Sequence, residues 1–155
     1  MEYKNKLEKK LGQLKEILKK MNSVLLAYSG GLDSSFLLKV AKEVLSDRLL
    51  AVTAVSDTYT KKELVEAKKI AKMLNVRHLL INTEELKNPE FKKNTPQRCY
   101  FCKKELFAKL KEIAKKNNID YIIDGSNKDD LKDYRPGFKA KKEFNIYSPL
   151  QIANL

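Results

Sequence analysis

The stretch YSGGLDSS, residues 28–35, combines a flexible backbone with polar side chains that could bind a charged group. Gly30 and Gly31 permit a tight turn, and their backbone can approach a ligand closely because neither carries a side chain. A helix that begins just after them would offer unpaired N–H groups and the positive end of its dipole to an anion. Three hydroxyl groups add hydrogen-bond donors, those of Ser29, Ser34 and Ser35. The stretch therefore predicts a binding site for phosphate groups.

Asp33 is an acidic residue within this predicted anion site. A carboxylate would repel phosphates unless a metal cation lay between them, and Mg²⁺ is commonly bound by one or two carboxylates together with substrate phosphates. The simpler interpretation is a strand-to-helix turn in which serine and aspartate cap the helix. Helix capping would explain one serine or aspartate, but it does not explain the whole stretch SGGLDSS. The pattern matches neither the GxxxxGK[ST] phosphate loop nor the GxGxxG dinucleotide motif.

Apolar periodicity predicts the elements that must position this turn. Strands are predicted over residues 24–29, 49–56, 78–83, 121–124 and 143–148. Helices are predicted over residues 3–20, 33–45, 60–74 and 100–116. The helix over 33–45 should face the core with Phe36, Leu37, Val40, Ala41 and Val44. The alternation of strands and helices predicts an α/β fold with a doubly wound, parallel, five-stranded sheet and an extra N-terminal helix.

Polar loops follow three of the predicted strands: SGGLDSS after the first, VSDTY at the end of the second, and DGSN after the fourth. In parallel sheets, ligands bind beyond the carboxyl ends of the strands, near the point where the strand order reverses. We therefore expect the three loops to meet at one edge of the sheet and to form the site there.

The overall composition is that of a globular protein and argues against a membrane-spanning or a secreted protein. With 155 residues, the chain has room for one domain. No apolar run approaches the roughly 20 residues that cross a bilayer, and MEYKNKLEKK lacks the features of a secretory signal, so a cytoplasmic protein is expected. The net charge of +12 comes mostly from scattered lysines. These lysines fit a solvated surface, although they would also attract polyanions such as RNA.

SGGLDSS resembles the PP-loop of ATP pyrophosphatases, which split ATP into AMP and pyrophosphate. The resemblance implies an adenine nucleotide alpha hydrolase-like, Rossmann-like fold, with ATP and Mg²⁺ as cofactors. It implies that pyrophosphate and magnesium are held by Ser29, Gly30, Gly31, Asp33, Ser34 and Ser35. Further residues at the ends of the strands would lie near the nucleotide, namely Ala27, Tyr28, Ser56, Asp57, Asp124 and Gly125.

Three longer stretches narrow the resemblance: NPEFKKNTPQRCYFCKKELF (88–107), DGSNKDDLKDYRPG (124–137) and YSPL (147–150). Together they are similar to the ATP-dependent sacrificial sulfur transferases, the LarE family, which help to build the nickel-pincer cofactor of lactate racemase. This implies adenylation of a carboxylate of pyridinium biscarboxylate mononucleotide, followed by sulfur transfer from a cysteine of the enzyme. The family carries that cysteine in a further segment. Residues 1–155 are therefore expected to be the nucleotide-binding domain of such an enzyme, either a fragment or a naturally short relative.

Two other functions stay open: tRNA thiolation, favoured by the basic charge and the CxxC pattern, and nucleotide binding without turnover. The expected partner is a small-molecule carboxylate, and the resemblance is compatible with a homo-oligomer.

Arg135, in the stiff RPG turn, is a candidate catalytic residue beside Asp33, since a guanidinium suits a substrate phosphate or carboxylate. Neighbouring aspartates could instead bind this arginine. Further candidates for substrate binding are Arg98, Asn127 and Asp130, although the acidic loop could simply be solvated.

Cys99 and Cys102 form a CxxC pair at the start of a predicted helix, where the dipole favours thiolates. The pair could be structural, half of a metal site, a redox-active disulfide or a sulfur carrier. Two cysteines alone cannot complete a zinc site. His78 is the chain's single histidine, and its position at the start of a strand favours a strand residue over a catalytic base.

Overall fold

The computed structural model of the chain describes residues 2–56, 59–82, 98–127 and 141–155. Its helices are α1 (Glu2–Lys20), α2 (Leu32–Leu45), α3 (Lys61–Met73), α4 (Arg98–Lys116) and α5 (Pro149–Ile152). Its strands are β1 (Val24–Ala27), β2 (Leu49–Val55), β3 (Arg77–Asn82), β4 (Tyr121–Asp124) and β5 (Ile146–Tyr147). A short 3-10 turn, Ser46–Arg48, connects α2 to β2.

The five strands form one parallel sheet in the order β3-β2-β1-β4-β5. The strand β1 lies at the centre, and its last residue, Ala27, pairs with Val52 of β2 and with Asp124 of β4. The chain adds β2 and β3 on one side of β1 and then returns to add β4 and β5 on the other. The strand order therefore reverses between β1 and β4, and the predicted five-stranded parallel sheet is confirmed.

Two apolar clusters cover the two faces of the sheet. One face packs against α1, α2, α3 and α5, with Leu14, Leu37 and Ala67 among its buried residues. The other packs against α4, through Phe107 and Leu110. A strand that is covered on both faces needs a continuous apolar sequence, which explains the run Val24-Leu25-Leu26 in β1.

Four details differ from the sequence-based expectations. β1 ends at Ala27 rather than at residue 29, because the chain turns away there into the glycine turn. Phe36 is 41% exposed, since the buried positions of α2 lie on the helix face that carries Leu37, Leu38 and Ala41. The fifth strand is reduced to two residues, and α5 was not anticipated.

Within the described ranges, no helix combines the length and the apolar character required to cross a bilayer.

Candidate functional site

The glycine turn joins the end of β1 to the start of α2. Gly30 has a φ of 85°, in the left-handed region that glycine tolerates and other residues avoid. A Cβ atom at this position would lie 2.9 Å from the Cβ of Ala67 in α3. The next residue, Gly31, is the N-cap of α2 and has no side chain to bond the first turn. The N–H groups at the start of α2 are therefore available to an anion.

Side-chain hydrogen bonds hold this turn in one conformation. The Ser29 N–H donates to Ser34 Oγ at 3.1 Å, and the Gly31 N–H donates to Ser29 Oγ at 3.2 Å. The Ser35 hydroxyl donates to the Gly30 carbonyl oxygen at 3.3 Å. These three serines therefore position the backbone. The hydroxyl hydrogen of Ser34 takes no part in its bond to Ser29, so it can donate elsewhere.

Tyr59 supports the same turn from the loop after β2. Its hydroxyl donates to the Ser29 carbonyl oxygen at 2.6 Å. Burial raises the pKa of Tyr59, and the nearby carboxylate of Glu63 adds to the effect, so the hydroxyl keeps its proton at neutral pH. Thr60 then caps α3 by accepting the N–H of Glu63 at 3.0 Å, which fixes where the chain enters that helix.

A cavity of about 510 Å³ opens beyond the carboxyl ends of β1, β2 and β4. One part of its lining is apolar and is formed by Ala27, Val52, Ala54, Leu106, Phe107 and Leu110. Another part is polar and includes Ser29, Gly31, Asp33, Ser34, Asp124 and Ser126. The volume lies within the range of small-molecule sites, and the position coincides with the reversal of strand order, where parallel sheets bind ligands.

Asp33 lines the polar part of the cavity from the first turn of α2. Its Oδ2 accepts a hydrogen bond of 2.6 Å from the side-chain amide of Asn127, which follows β4. Among the described residues, no three or more aspartate, glutamate, cysteine or histidine side chains are grouped so that they could by themselves hold a metal ion. One carboxylate with neighbouring hydroxyl and amide oxygens is nevertheless the donor set that suits Mg²⁺, which takes its remaining ligands from phosphates and water. The residues that are present therefore fit a magnesium ion shared with a phosphate ligand.

The loop after β4 packs directly on the start of α2. A Cβ atom at Gly125 would lie 2.9 Å from Ser34 Cα, so only glycine allows this approach. Asp124 accepts hydrogen bonds from the Ser126 N–H at 3.2 Å and from the Ser148 hydroxyl at 2.7 Å. Lys141 Nζ lies 3.3 Å from Asp124 Oδ2. Lys141, before β5, and Ser148, after β5, thus contact the cavity through Asp124, which lines it.

Thr53, in β2, links the base of the glycine turn to His78. Its hydroxyl donates to the carbonyl oxygen of Tyr28 at 2.7 Å, and its oxygen lies 2.7 Å from His78 Nε2. Because the threonine hydrogen is already used, Nε2 must carry the hydrogen and donate it. Burial, with a smaller effect from the charge of Lys68, lowers the pKa of His78. His78 lies in β3, as expected of a strand residue, and its Nε2 is not available as a base.

The structure brings most of the sequence-predicted site residues together. The cavity is lined by Ala27, Tyr28, Ser29, Gly31, Asp33, Ser34, Asp124 and Gly125. Gly30 and Ser35 complete the turn beneath it. Ser56 follows β2, and its carbonyl oxygen accepts a hydrogen bond of 3.0 Å from the N–H of Tyr59. Ser56 thus contacts Tyr59, which itself lines the cavity. Asp57, Asp130 and Arg135 lie outside the described residues, as do the side chains of Arg98, Cys99 and Cys102.

Sequence reasoning missed several residues that shape the site. Tyr59 and Ser148 lie in the stretches VSDTY and YSPL named above, but the sequence does not indicate which groups they contact. The contact between Lys141 and Asp124 could not be predicted, because nothing in the sequence distinguishes Lys141 from the many other lysines of this basic chain.

Residues 5–127 match the family model described as NAD synthase. The chain belongs to the NAD synthase family. Its glycine turn is therefore a PP-loop, and the resemblance inferred from SGGLDSS is confirmed. The match runs from α1 to the loop after β4, so it includes both loops that line the polar part of the cavity.

Two curated relatives align with nearly the whole chain. An uncharacterised protein of Synechocystis sp. is 44% identical over 152 residues, which cover 96% of this chain and 57% of the relative. The pyridinium-3,5-bisthiocarboxylic acid mononucleotide synthase of Lactiplantibacillus plantarum is 37% identical over 149 residues, which cover 96% of this chain and 54% of the relative. The chain thus spans a little over half the length of these relatives.

Solved structures support the fold. The NH3-dependent NAD synthetase of Campylobacter jejuni superposes with a TM-score of 0.67 at 20% identity. The match covers 94% of this chain and 74% of the synthetase. At this level of identity the likeness concerns the arrangement of strands and helices, which agrees with the parallel sheet described above.

Proposed function

We propose that the chain binds Mg-ATP and transfers its AMP group to a carboxylate, releasing pyrophosphate, and that the substrate is a pyridinium biscarboxylate mononucleotide. The observation that carries the proposal is the cavity at the reversal of strand order, which combines a turn suited to phosphates with an apolar wall. The relative of Lactiplantibacillus plantarum, a pyridinium-3,5-bisthiocarboxylic acid mononucleotide synthase, supports the choice of substrate.

The two parts of the cavity suit the two ends of a nucleotide. An adenine base would pack against Val52 and Ala54 of β2 and against Phe107 and Leu110 of α4, where apolar surface is removed from water. The phosphates would lie over the start of α2, where main-chain N–H groups and the hydroxyl of Ser34 donate to them.

Asp33 would hold a magnesium ion against these phosphates. Asn127 fixes Oδ2 of Asp33, which leaves Oδ1 for a cation. When bound, magnesium neutralises negative charge on the departing pyrophosphate. The residues of this chain contribute by binding and by orientation, because hydrogen-bond donors fixed in a partly enclosed site stabilise developing charge without rearranging.

The proposed reaction has a simple balance. A carboxylate oxygen of the substrate attacks the α-phosphorus, the bond to the bridging oxygen of pyrophosphate breaks, and an acyl adenylate and pyrophosphate result. Arg98 and Arg135 are our candidates for binding the substrate's phosphate or its second carboxylate, and Asp130 for binding its ribose. The helix start beneath the phosphates favours departure of pyrophosphate, which carries the developing charge.

The distribution of lysine favours a small-molecule substrate over RNA. The lysine-rich helices α1 and α4 pack on opposite faces of the sheet. As far as the structure describes the chain, these two helices therefore do not form one continuous basic face, whereas proteins that bind a nucleic acid backbone typically cluster lysine and arginine on one face. We propose that the positive charge serves a general attraction for anionic nucleotides.

The experiment is a pyrophosphate release assay with the purified chain, Mg-ATP and pyridinium biscarboxylate mononucleotide. We expect release that depends on the dicarboxylate and that is lost in Asp33→Ala but kept in Asp47→Ala, a matched exposed aspartate. Tight binding of ATP with no release under any condition would contradict adenylation. Release that requires tRNA in place of the dicarboxylate would contradict the proposed substrate.

A further inference from the structure

Two carboxylates line a cavity that we propose for a polyanion, and their surroundings differ. Asp33 is hydrogen-bonded at Oδ2 by the neutral amide of Asn127. Asp124 interacts with a cation, because Lys141 Nζ lies 3.3 Å from its Oδ2. Without that cation, Asp124 would add a negative charge beside the proposed phosphates and would weaken their binding.

The pair formed by Lys141 and Asp124 is largely shielded from water. The side chain of Lys141 is 12% exposed and that of Asp124 is 17% exposed. Coulombic interactions are stronger in such surroundings than at the surface, and salt screens them less. An uncompensated charge at this position would therefore act on a ligand in the cavity more strongly than a surface charge would.

The ammonium group of Lys141 is held by several oxygen atoms. Besides Asp124, it donates to the hydroxyl of Ser148 and, at 3.4 Å, to the hydroxyl of Ser126. Ser148 in turn donates to Asp124 Oδ1 at 2.7 Å. The network fixes the lysine charge beside Asp124, and Ser126 and Asp124 themselves line the cavity.

We propose that Lys141 is a positioning residue that neutralises Asp124, so that the cavity accepts the phosphates of a nucleotide and Asp33 is the carboxylate left for a cation. This inference rests on the proposed function, since it concerns the binding of a polyanion in the same cavity. It assigns a role to a residue between the loop after β4 and the strand β5, in a part of the chain that the match to the family model does not include.

The test compares Mg-ATP affinity among four proteins by titration calorimetry, at low and at high salt. These are the parent, Lys141→Met, the double variant Lys141→Met/Asp124→Asn, and the control Lys142→Met. Lys142 is the exposed neighbour of Lys141, so the control removes the same formal charge from the adjacent position. Thermal unfolding of each variant shows whether the fold is retained.

We expect Lys141→Met to bind Mg-ATP about tenfold more weakly than the parent at low salt. High salt should remove only part of this deficit, because salt screens a shielded charge less than an exposed one. The double variant should bind within about threefold of the parent, because both charges of the pair are then absent. Lys142→Met should bind like the parent. A lysine that served only to hold the local structure would not be rescued by removing its partner's charge.

Three results would overturn the inference while leaving the proposed function intact: parent-like binding by Lys141→Met, a double variant as weak as the single variant, or a deficit that high salt abolishes, as it would for a surface charge. If Lys141→Met does not fold, the double variant decides, and an affinity more than about tenfold below the parent's would refute neutralisation. If the parent itself does not bind Mg-ATP, the inference and the proposed function both fail.

Discussion

Replacing Gly30 by alanine perturbs the centre of the proposed phosphate turn. The φ of 85° costs an alanine about 1–2 kcal/mol relative to glycine. The new Cβ would also lie 2.9 Å from the Cβ of Ala67, well inside ordinary van der Waals contact, and crowding of this kind costs about 1–3 kcal/mol. We therefore expect Gly30→Ala to lower the free energy of unfolding by roughly 2–5 kcal/mol. We also expect weaker Mg-ATP binding, because the displaced turn no longer presents its N–H groups correctly.

The assay is urea denaturation together with ATP titration, and two further variants make it specific. Gly12→Ala is the matched control, since its Cβ meets nothing within 4 Å. Gly12 lies in the exposed part of α1, so alanine should stabilise the protein by about 1 kcal/mol. Ala67→Gly should destabilise the parent but cost less in the Gly30→Ala background, because it removes the contact between the two Cβ atoms. The expected coupling is about 1 kcal/mol.

Parent-like stability in Gly30→Ala would refute the reasoning about backbone strain and close contact. Strictly additive effects of Gly30→Ala and Ala67→Gly would show that the two side chains do not meet. A destabilised variant that binds Mg-ATP as tightly as the parent would separate the turn from phosphate binding and would count against the proposed site.

Three further predictions concern single side chains around the cavity. Asp33→Ala should weaken magnesium-dependent ATP binding by about a hundredfold, measured by titration with and without a chelator. Magnesium-free binding should be unchanged or stronger, because the variant lacks a carboxylate that repels the phosphates. Thr53→Val should destabilise the protein by about 1–3 kcal/mol in urea denaturation, because the buried carbonyl oxygen of Tyr28 loses its donor. The folded-state pKa of His78 is lowered from 6.5, so the unfolded state binds more protons as pH falls toward and below that value, and stability should decline there. This decline should disappear in His78→Gln, and its persistence at full size would refute the assignment.

The extents of the elements were largely predictable because they depend on local patterns. The apolar runs of β2 and β4 and the helical spacing in α3 and α4 predicted these elements to within two residues. The reduced β5 was not predictable in this way. Its single pairing partner, β4, covers two residue pairs, so the sequence of 143–148 alone does not indicate where the strand begins.

The cavity was predicted in part because parallel strands end at a common edge. This rule alone predicts that SGGLDSS and DGSN lie near each other, without requiring that their strands be neighbours. It did not reveal that Gly125 packs against Ser34 or that Asn127 orients Asp33. Those contacts depend on the spacing between the two loops, which follows from the pairing of Ala27 with Asp124 in the sheet.

The sequence by itself determined the local chemistry of this protein: a turn that only glycine can form, followed by a helix start with serine and aspartate, at the end of a buried strand. The tertiary structure decided which distant groups act on that turn. Tyr59 supports the Ser29 carbonyl group, and Lys141 lies beside Asp124. The physical reason is that periodicity and turn preferences act over a few residues, whereas these contacts depend on strand order and packing across the whole sheet.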